Sequence, residues 1–360
     1  MVKGPTRRSF LSLFPASLAF ASVNAAQKRR SPLPQTGEFV RFADPLTENI
    51  VVRLTHPGWQ SLLPSVRNRF ISSKERFLVF SSNRGGAGLC PWLVDLRTGR
   101  ARLLGETKDL APRSLCLDAR ERALYLLDGK ALKELALSNL RVRTVAEDVE
   151  DFTVDLAASH VLFLKNGQLI RVGDPNVVNK DLNGATELSA SPSGDSCLFE
   201  RNKRADYSEL WHVSLKAAAK PVLLAKGNIW NFIWNPDGSS VLFLREAEVN
   251  GVQVPEIHEV SPEDGVERKV ERTNQFAAFA PNGNGSVFVG ASRSKAQPDI
   301  VLMLRSPQRE LTLCEHRSKD PASVAPVFSP DSRRIYFQSD REGRSALYAV
   351  SVERLVEPTL

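Results

Sequence analysis

Guanidinium, imidazole and amide side chains can hold anions or act in acid–base chemistry, and this chain places a few of them beside short apolar runs. Arg67 and Asn68, Trp230 and Asn231, and Arg245 and Glu246 flank strands expected to be innermost in their sheets. Residues at such positions can face a central channel. His316 lies in the segment Cys314-Glu315-His316-Arg317-Ser318. A funnel lined by Arg67, Arg245 and His316 would hold an anionic group through charge-assisted hydrogen bonds. Arg84 and Arg341 sit in hairpin tips, where a structural role accounts for them. His160 reads as a turn residue, and His212 and His258 as members of alternating strands. With His56 and His316 they are the five histidines, none close to another in sequence. No metal ligand is assigned from them.

Other chemistries are excluded by pattern. No GxSxG elbow, P-loop or GxGxxG unit is present. Asn282-Gly283-Asn284-Gly285 precedes an alternating run and reads as a turn. The four cysteines, Cys90, Cys116, Cys197 and Cys314, are far apart and form no CxxC pair. Cys116 and Cys197 fall in apolar runs and read as buried free thiols. Trp59, Trp92, Trp211 and Trp234 read as core or sheet-to-sheet packing. At 42% hydrophobic and 25% charged residues, the chain can bury a core and lacks the disorder signature.

The first residues read as a leader. Thr6-Arg7-Arg8-Ser9-Phe10-Leu11 opens a short apolar stretch that ends in Asn24-Ala25-Ala26. A basic start, a brief apolar middle and small terminal residues describe a cleavable signal peptide. The paired arginines are of the twin-arginine type. The expected organisation is a leader over 1–26, a tail over 27–37 and one domain over 38–360. The mature protein is then periplasmic or secreted, with no membrane span. Without Lys3, Arg7 and Arg8 the 48 basic residues fall to 45 against 41 acidic ones, an excess of +4. No dense basic stripe with interleaved aromatics occurs, so no nucleic-acid partner is expected.

The elements that must position these side chains come from a repeat. A turn residue followed seven positions later by a large apolar residue recurs at Ser73/Phe80, Ala119/Leu126, Leu156/Phe163, Pro192/Phe199, Pro236/Phe243, Pro281/Phe288 and Pro330/Phe337. The steps are 46, 37, 36, 44, 45 and 49 residues. Propeller blades of four short strands repeat at roughly 40–50 residues. Turns such as Asn235-Pro236-Asp237-Gly238 suit the repeat, because Pro presets φ and Gly supplies conformational freedom. No long helical stripe of apolar residues interrupts it. The fold class is therefore all-β, a seven-bladed β-propeller. The short repeats at Ala119 and Leu156 leave six or eight blades open. Little chain follows Val352, so Ile50-Val51-Val52-Arg53-Leu54 is expected to supply the last blade's outer strand and close the ring.

The blade sequence Ser329-Pro330-Asp331 through Ile335-Tyr336-Phe337, Ser339-Asp340-Arg341 and Leu347-Tyr348-Ala349-Val350 resembles TolB-like propellers. A narrower resemblance is to the oligogalacturonate lyase family. It is carried by Phe42-Ala43-Asp44-Pro45-Leu46-Thr47, Arg53-Leu54-Thr55, Asn68-Arg69-Phe70, and His316 through Pro326-Val327-Phe328-Ser329-Pro330-Asp331. The resemblance implies a seven-bladed propeller that cleaves short pectin fragments by β-elimination. It also implies a divalent metal near the axis. Such chemistry needs a base for the proton α to the carboxylate and positive charge for the resulting enolate. Where the family carries Gln-x-His-Pro, this chain has Ser323 and Ala325, with Pro326 kept. Val66-Arg67 and Asn231 stand where family histidines are common. The resemblance thus implies an acidic oligosaccharide ligand, weak or lost lyase activity, and Mn²⁺ as cofactor only where that activity is retained. The alternative is a non-enzymatic TolB-like scaffold for a periplasmic protein or peptide.

Overall fold

The computed structural model describes residues 37–356 apart from 87, 158–159, 175, 217–218 and 274. The expected leader and all but the last residue of the expected tail lie outside the described residues. Seven antiparallel sheets form a ring, one per anchor pair. Blades 1 to 6 span residues 61–103, 116–146, 151–179, 186–227, 229–272 and 276–315. Six or eight blades are thereby excluded. The short repeats at Ala119 and Leu156 form complete four-stranded blades.

Each blade is a meander that runs from innermost to outermost strand. The second strand is the most deeply packed, because a neighbouring blade covers each of its faces. Phe77–Ser82, Val287–Ser292 and Arg334–Ser339 are buried at nearly every position. Such strands read as continuous apolar runs rather than alternating ones. Their anchor residues Phe80, Leu126, Phe163, Phe199, Phe243, Phe288 and Phe337 are at most 7% exposed. Outermost strands such as Glu267–Arg272 have no such cover and stay polar. In blade 6, Phe276 lies so close over Gly290 that a Cβ there would stand 2.4 Å from its ring. Only glycine permits that approach.

Blade 7 closes the ring with both chain ends. Val327–Phe328, Arg334–Ser339 and Ala346–Ser351 are joined by Ile50–Arg53, with Val51 opposite Val350. The expected closing strand is therefore present, and Val40–Ala43 adds a fifth strand outside it. The turn after Val40–Ala43 is clamped to blade 6. Asp44 accepts N–H bonds from Leu46 and Thr47 at 3.1 Å and from Glu315 at 2.9 Å. Thr47 and Asn49 both donate to the Leu313 carbonyl, at 2.6 and 2.8 Å. The Asp44-Pro45-Leu46-Thr47 motif is thus a fastening between the chain's first strands and blade 6.

All four cysteines are buried and free. Burial pushes the Cys116 and Cys197 thiols up to about 12. Trp92 and Trp234 are core residues, and Trp211 stacks on Phe199 with centroids 6.3 Å apart. Trp59 differs from expectation. It is 39% exposed, on a turn before the first strand of blade 1 rather than between blades. Arg84 lies over the Trp92 ring at 5.1 Å, and Arg341 over Phe42 at 5.1 Å. The hairpin-tip arginines therefore cap aromatic side chains. No described helix is long and apolar enough to cross a membrane.

Candidate functional site

Antiparallel neighbours alternate in direction, so the loops entering the innermost strands share one face with the hairpins linking second to third strands. We call this the upper face. Two recesses open on it.

The larger recess, of about 630 Å³, is lined by blades 1 to 4. Its polar wall includes Ser65, Arg67, Asn68, Arg113, Asp151 and Glu187. The loop holding Arg67 interrupts the innermost strand of blade 1, after Ser61–Leu62 and before the Ile71–Leu78 bridge. From there Arg67 crosses the ring. It pairs with Glu187 of blade 4 and lies 4.6 Å from the centroid of Phe232 in blade 5. Burial, with repulsion from Arg113, lowers its guanidinium to about 10. Asn68 is occupied differently. Its amide donates to the Arg113 and Leu115 carbonyls at 3.1 and 3.3 Å, which ties blade 1 to blade 2.

Arg113 is the exception among the charged groups. Its guanidinium forms no hydrogen bond or ion pair with the described residues. Water reaches it, yet protein surrounds it closely enough that burial lowers its pKa. That combination describes a side chain standing inside a recess. The carboxylates nearby are all engaged. Glu187 holds Arg67 and also pairs with Lys203 at 3.3 Å. Glu150 accepts the Asn166 N–H at 2.9 Å. Asp151 accepts N–H bonds from Phe152 and Leu188, both at 2.8 Å. Burial outweighs those bonds and raises the Asp151 pKa.

The other expected site residues are dispersed. Trp230 donates to the Ala277 carbonyl at 2.9 Å. Asn231 donates to Phe279 O at 3.0 Å and accepts from Phe279 N at 3.2 Å, linking blade 5 to blade 6. Arg245 forms a fork with Glu267, at 2.7 and 2.8 Å, within blade 5. Glu246 pairs with Arg293 at 3.2 Å. His316 is buried away from either recess. It has 0% exposure, its Nε2 donates to the Ser292 carbonyl at 2.9 Å, and its Nδ1 accepts from Ser318 N at 3.0 Å. The expected funnel of Arg67, Arg245 and His316 therefore does not form. Of the three, only Arg67 lines the recess.

Arg113, Asp151 and Glu187 were not singled out in the sequence, although a signal for them existed. Arg67 and Asn68 precede their turn anchor by six and five positions, as do Trp230 and Asn231. The same offsets give Arg113 and Ser114, Glu150 and Asp151, and Thr186 and Glu187. Every one of these residues from blades 1 to 4 lines the recess.

The second recess, of about 500 Å³, lies at the ring closure between blades 1 and 7. It contains Ser323, one of the positions where the family resemblance implies a metal ligand. Ser323 donates its hydroxyl to the Asp320 carbonyl at 2.7 Å, and Ala325 carries no donor atom. Among the described residues, no three His, Cys, Asp or Glu side chains converge to hold a metal ion. These residues do not fit a manganese ion.

Together these elements define a seven-bladed β-propeller with recesses on its upper face. No protein-family model matches the sequence, and no curated protein matches it significantly. Among solved structures, an oligogalacturonate lyase in complex with manganese is similar over 88% of this chain and 96% of its own, at 18% identity and TM-score 0.76. The oligogalacturonate lyase of Vibrio parahaemolyticus is similar over 88% and 97%, at 19% identity and TM-score 0.75. The Cps50 β-propeller domain of Myceliophteria thermophila covers 82% and 99%, at 15% identity and TM-score 0.54. At these identities the likeness establishes the propeller fold.

Proposed function

We propose that this chain is an exported, oligogalacturonate-lyase-like propeller that binds acidic oligosaccharides in the recess of blades 1 to 4, with lyase turnover weak or lost. The observation that carries this reading is Arg113. A guanidinium beside a second guanidinium, open to water and without an anionic partner among the described residues, is half of a carboxylate-binding pair. The half-exposed Ala111 and Pro112 beside it add apolar surface that suits a sugar ring better than a free inorganic anion. Export is supported by the Arg7-Arg8 leader pattern. Reduced turnover is supported by Ser323 and Ala325 at the positions where the resemblance implies ligands.

The experiment is calorimetric titration of mature protein with short oligogalacturonides, alongside ultraviolet absorbance of an unsaturated product with added Mn²⁺. Binding without absorbance is the expected result. Absence of binding would remove the acidic-ligand reading. The scaffold alternative has one observation in its favour. The nine-residue strands Val241–Val249 and Val252–Val260 carry a hairpin whose Val252 is 60% exposed. No other described strand exceeds seven residues.

A further inference from the structure

The two recesses of the upper face share a wall, and their chemistry differs. Gln60 and Leu62 of blade 1 line the closure recess, and Ser65, Arg67 and Asn68 of the same segment line the larger one. Leu62 and Ser65 are three residues apart, so their Cα atoms lie within about 11 Å. The two recesses therefore adjoin along this segment of blade 1.

The closure recess is built for neutral hydroxyl groups. Asp320 and Asp340 face it with Arg344 as its one cation. Arg344 already donates to the Gly58 carbonyl at 3.2 Å. The two carboxylates each use Oδ1 locally, accepting from Ala322 N at 3.2 Å and from Lys319 N at 2.9 Å. Each Oδ2 has no partner among the described residues and remains an acceptor for a hydroxyl. Amide and hydroxyl groups complete the wall, Gln338 among them. A carboxylate placed here would meet two like charges, whereas a neutral sugar would meet acceptors and donors that match its hydroxyls.

We infer that the ligand is a mixed oligosaccharide, with a uronate unit at Arg67 and Arg113 and a neutral sugar unit in the closure recess between blades 1 and 7. This rests on the acidic-ligand reading above and narrows it, because a chain of uronates alone would place a charge against Asp320 and Asp340.

Calorimetry at fixed low ionic strength tests it with three probes. They are a trigalacturonate, a xylotriose bearing one glucuronate, and unsubstituted xylotriose. The mixed probe is expected to bind at least ten-fold more tightly than either of the others. Arg113→Gln is expected to weaken both acidic probes about ten-fold or more. The double variant Asp320→Asn, Asp340→Asn keeps every Oδ1 acceptor and removes both charges. It is expected to strengthen trigalacturonate binding several-fold and so narrow the preference. Equal affinity for trigalacturonate and the mixed probe, both weakened by Arg113→Gln and neither altered by the double variant, would overturn the inference and leave the acidic-ligand reading standing. Indifference of both acidic probes to Arg113→Gln, or no binding of either, would overturn both.

Discussion

His316 shows how a single residue changes meaning with its surroundings. In sequence it sits among charged residues, and in the fold both ring nitrogens are committed to backbone groups with no solvent contact. The Nδ1 atom accepts a hydrogen bond, so the neutral imidazole fits and the cation does not. Burial lowers its pKa from the ordinary histidine value of about 6.5, and repulsion from Arg341 adds to the effect. The native state therefore resists a proton that the unfolded chain accepts. Its contribution to stability is complete above about pH 6.5 and is lost as pH falls toward the folded value. Each unit of displacement corresponds to about 1.4 kcal/mol. Unfolding free energy from urea titrations is expected to fall between pH 7 and pH 5, and His316→Gln should flatten that slope. Burial lowers His212 in the same sense, so the flattening is partial. An identical slope in the variant would show that His316 carries none of it. Arg113 makes the opposite case. Among the described residues no anion pairs with it, and that lack is what marks it out.

At the scale of the strand, the innermost segments do two jobs with one pair of positions. In blades 1 to 5 the residues six and five before the turn anchor line the recess, stitch one blade to the next, or do both. Asn231 stitches. It sits at φ 52°, where asparagine is tolerated far better than most residues, and its amide bonds both the N–H and the C=O of Phe279. Asp151 and Thr153 do the same from blade 3, accepting from Leu188 and Ala190 at 2.8 and 2.9 Å. Asn231→Ala should cost about 1–3 kcal/mol, since it strands two backbone groups between blades. Asn231→Gly relieves the left-handed backbone but restores neither bond, so it should recover only the smaller part. Full recovery by glycine in chemical denaturation would assign the cost to backbone conformation alone. The position offset was legible in the sequence once the anchors were aligned. Which pairs line the recess, and which of their members already have partners, was not, because the interrupted strand of blade 1 sends Arg67 across the ring to Glu187.

For the whole molecule, closure is the decisive event. Six blades pass chain directly to the next, and the seventh is assembled from residues some three hundred positions apart. Val51 is fully buried opposite Val350, and Asp44 anchors the strand pair to blade 6. A chain beginning after Leu54 should lose the single cooperative thermal transition, because blade 7 would be left with an unpaired edge and blade 6 without its clamp. An unchanged transition would mean that the ring holds without its fastening. Blade number, strand order and the closing strand were all readable from the sequence. They depend on local turn chemistry and a periodic apolar residue, and both repeat along the chain. The site was readable only in part. Arg67 and Asn68 were found, while Arg113, Asp151 and Glu187 were passed over and Arg245 and His316 proved to be bound elsewhere. A recess is formed where four blades meet, so its members are set by three-dimensional convergence and by which charges already have partners. Neither property is written in the spacing of one blade, and only the closed ring decides it.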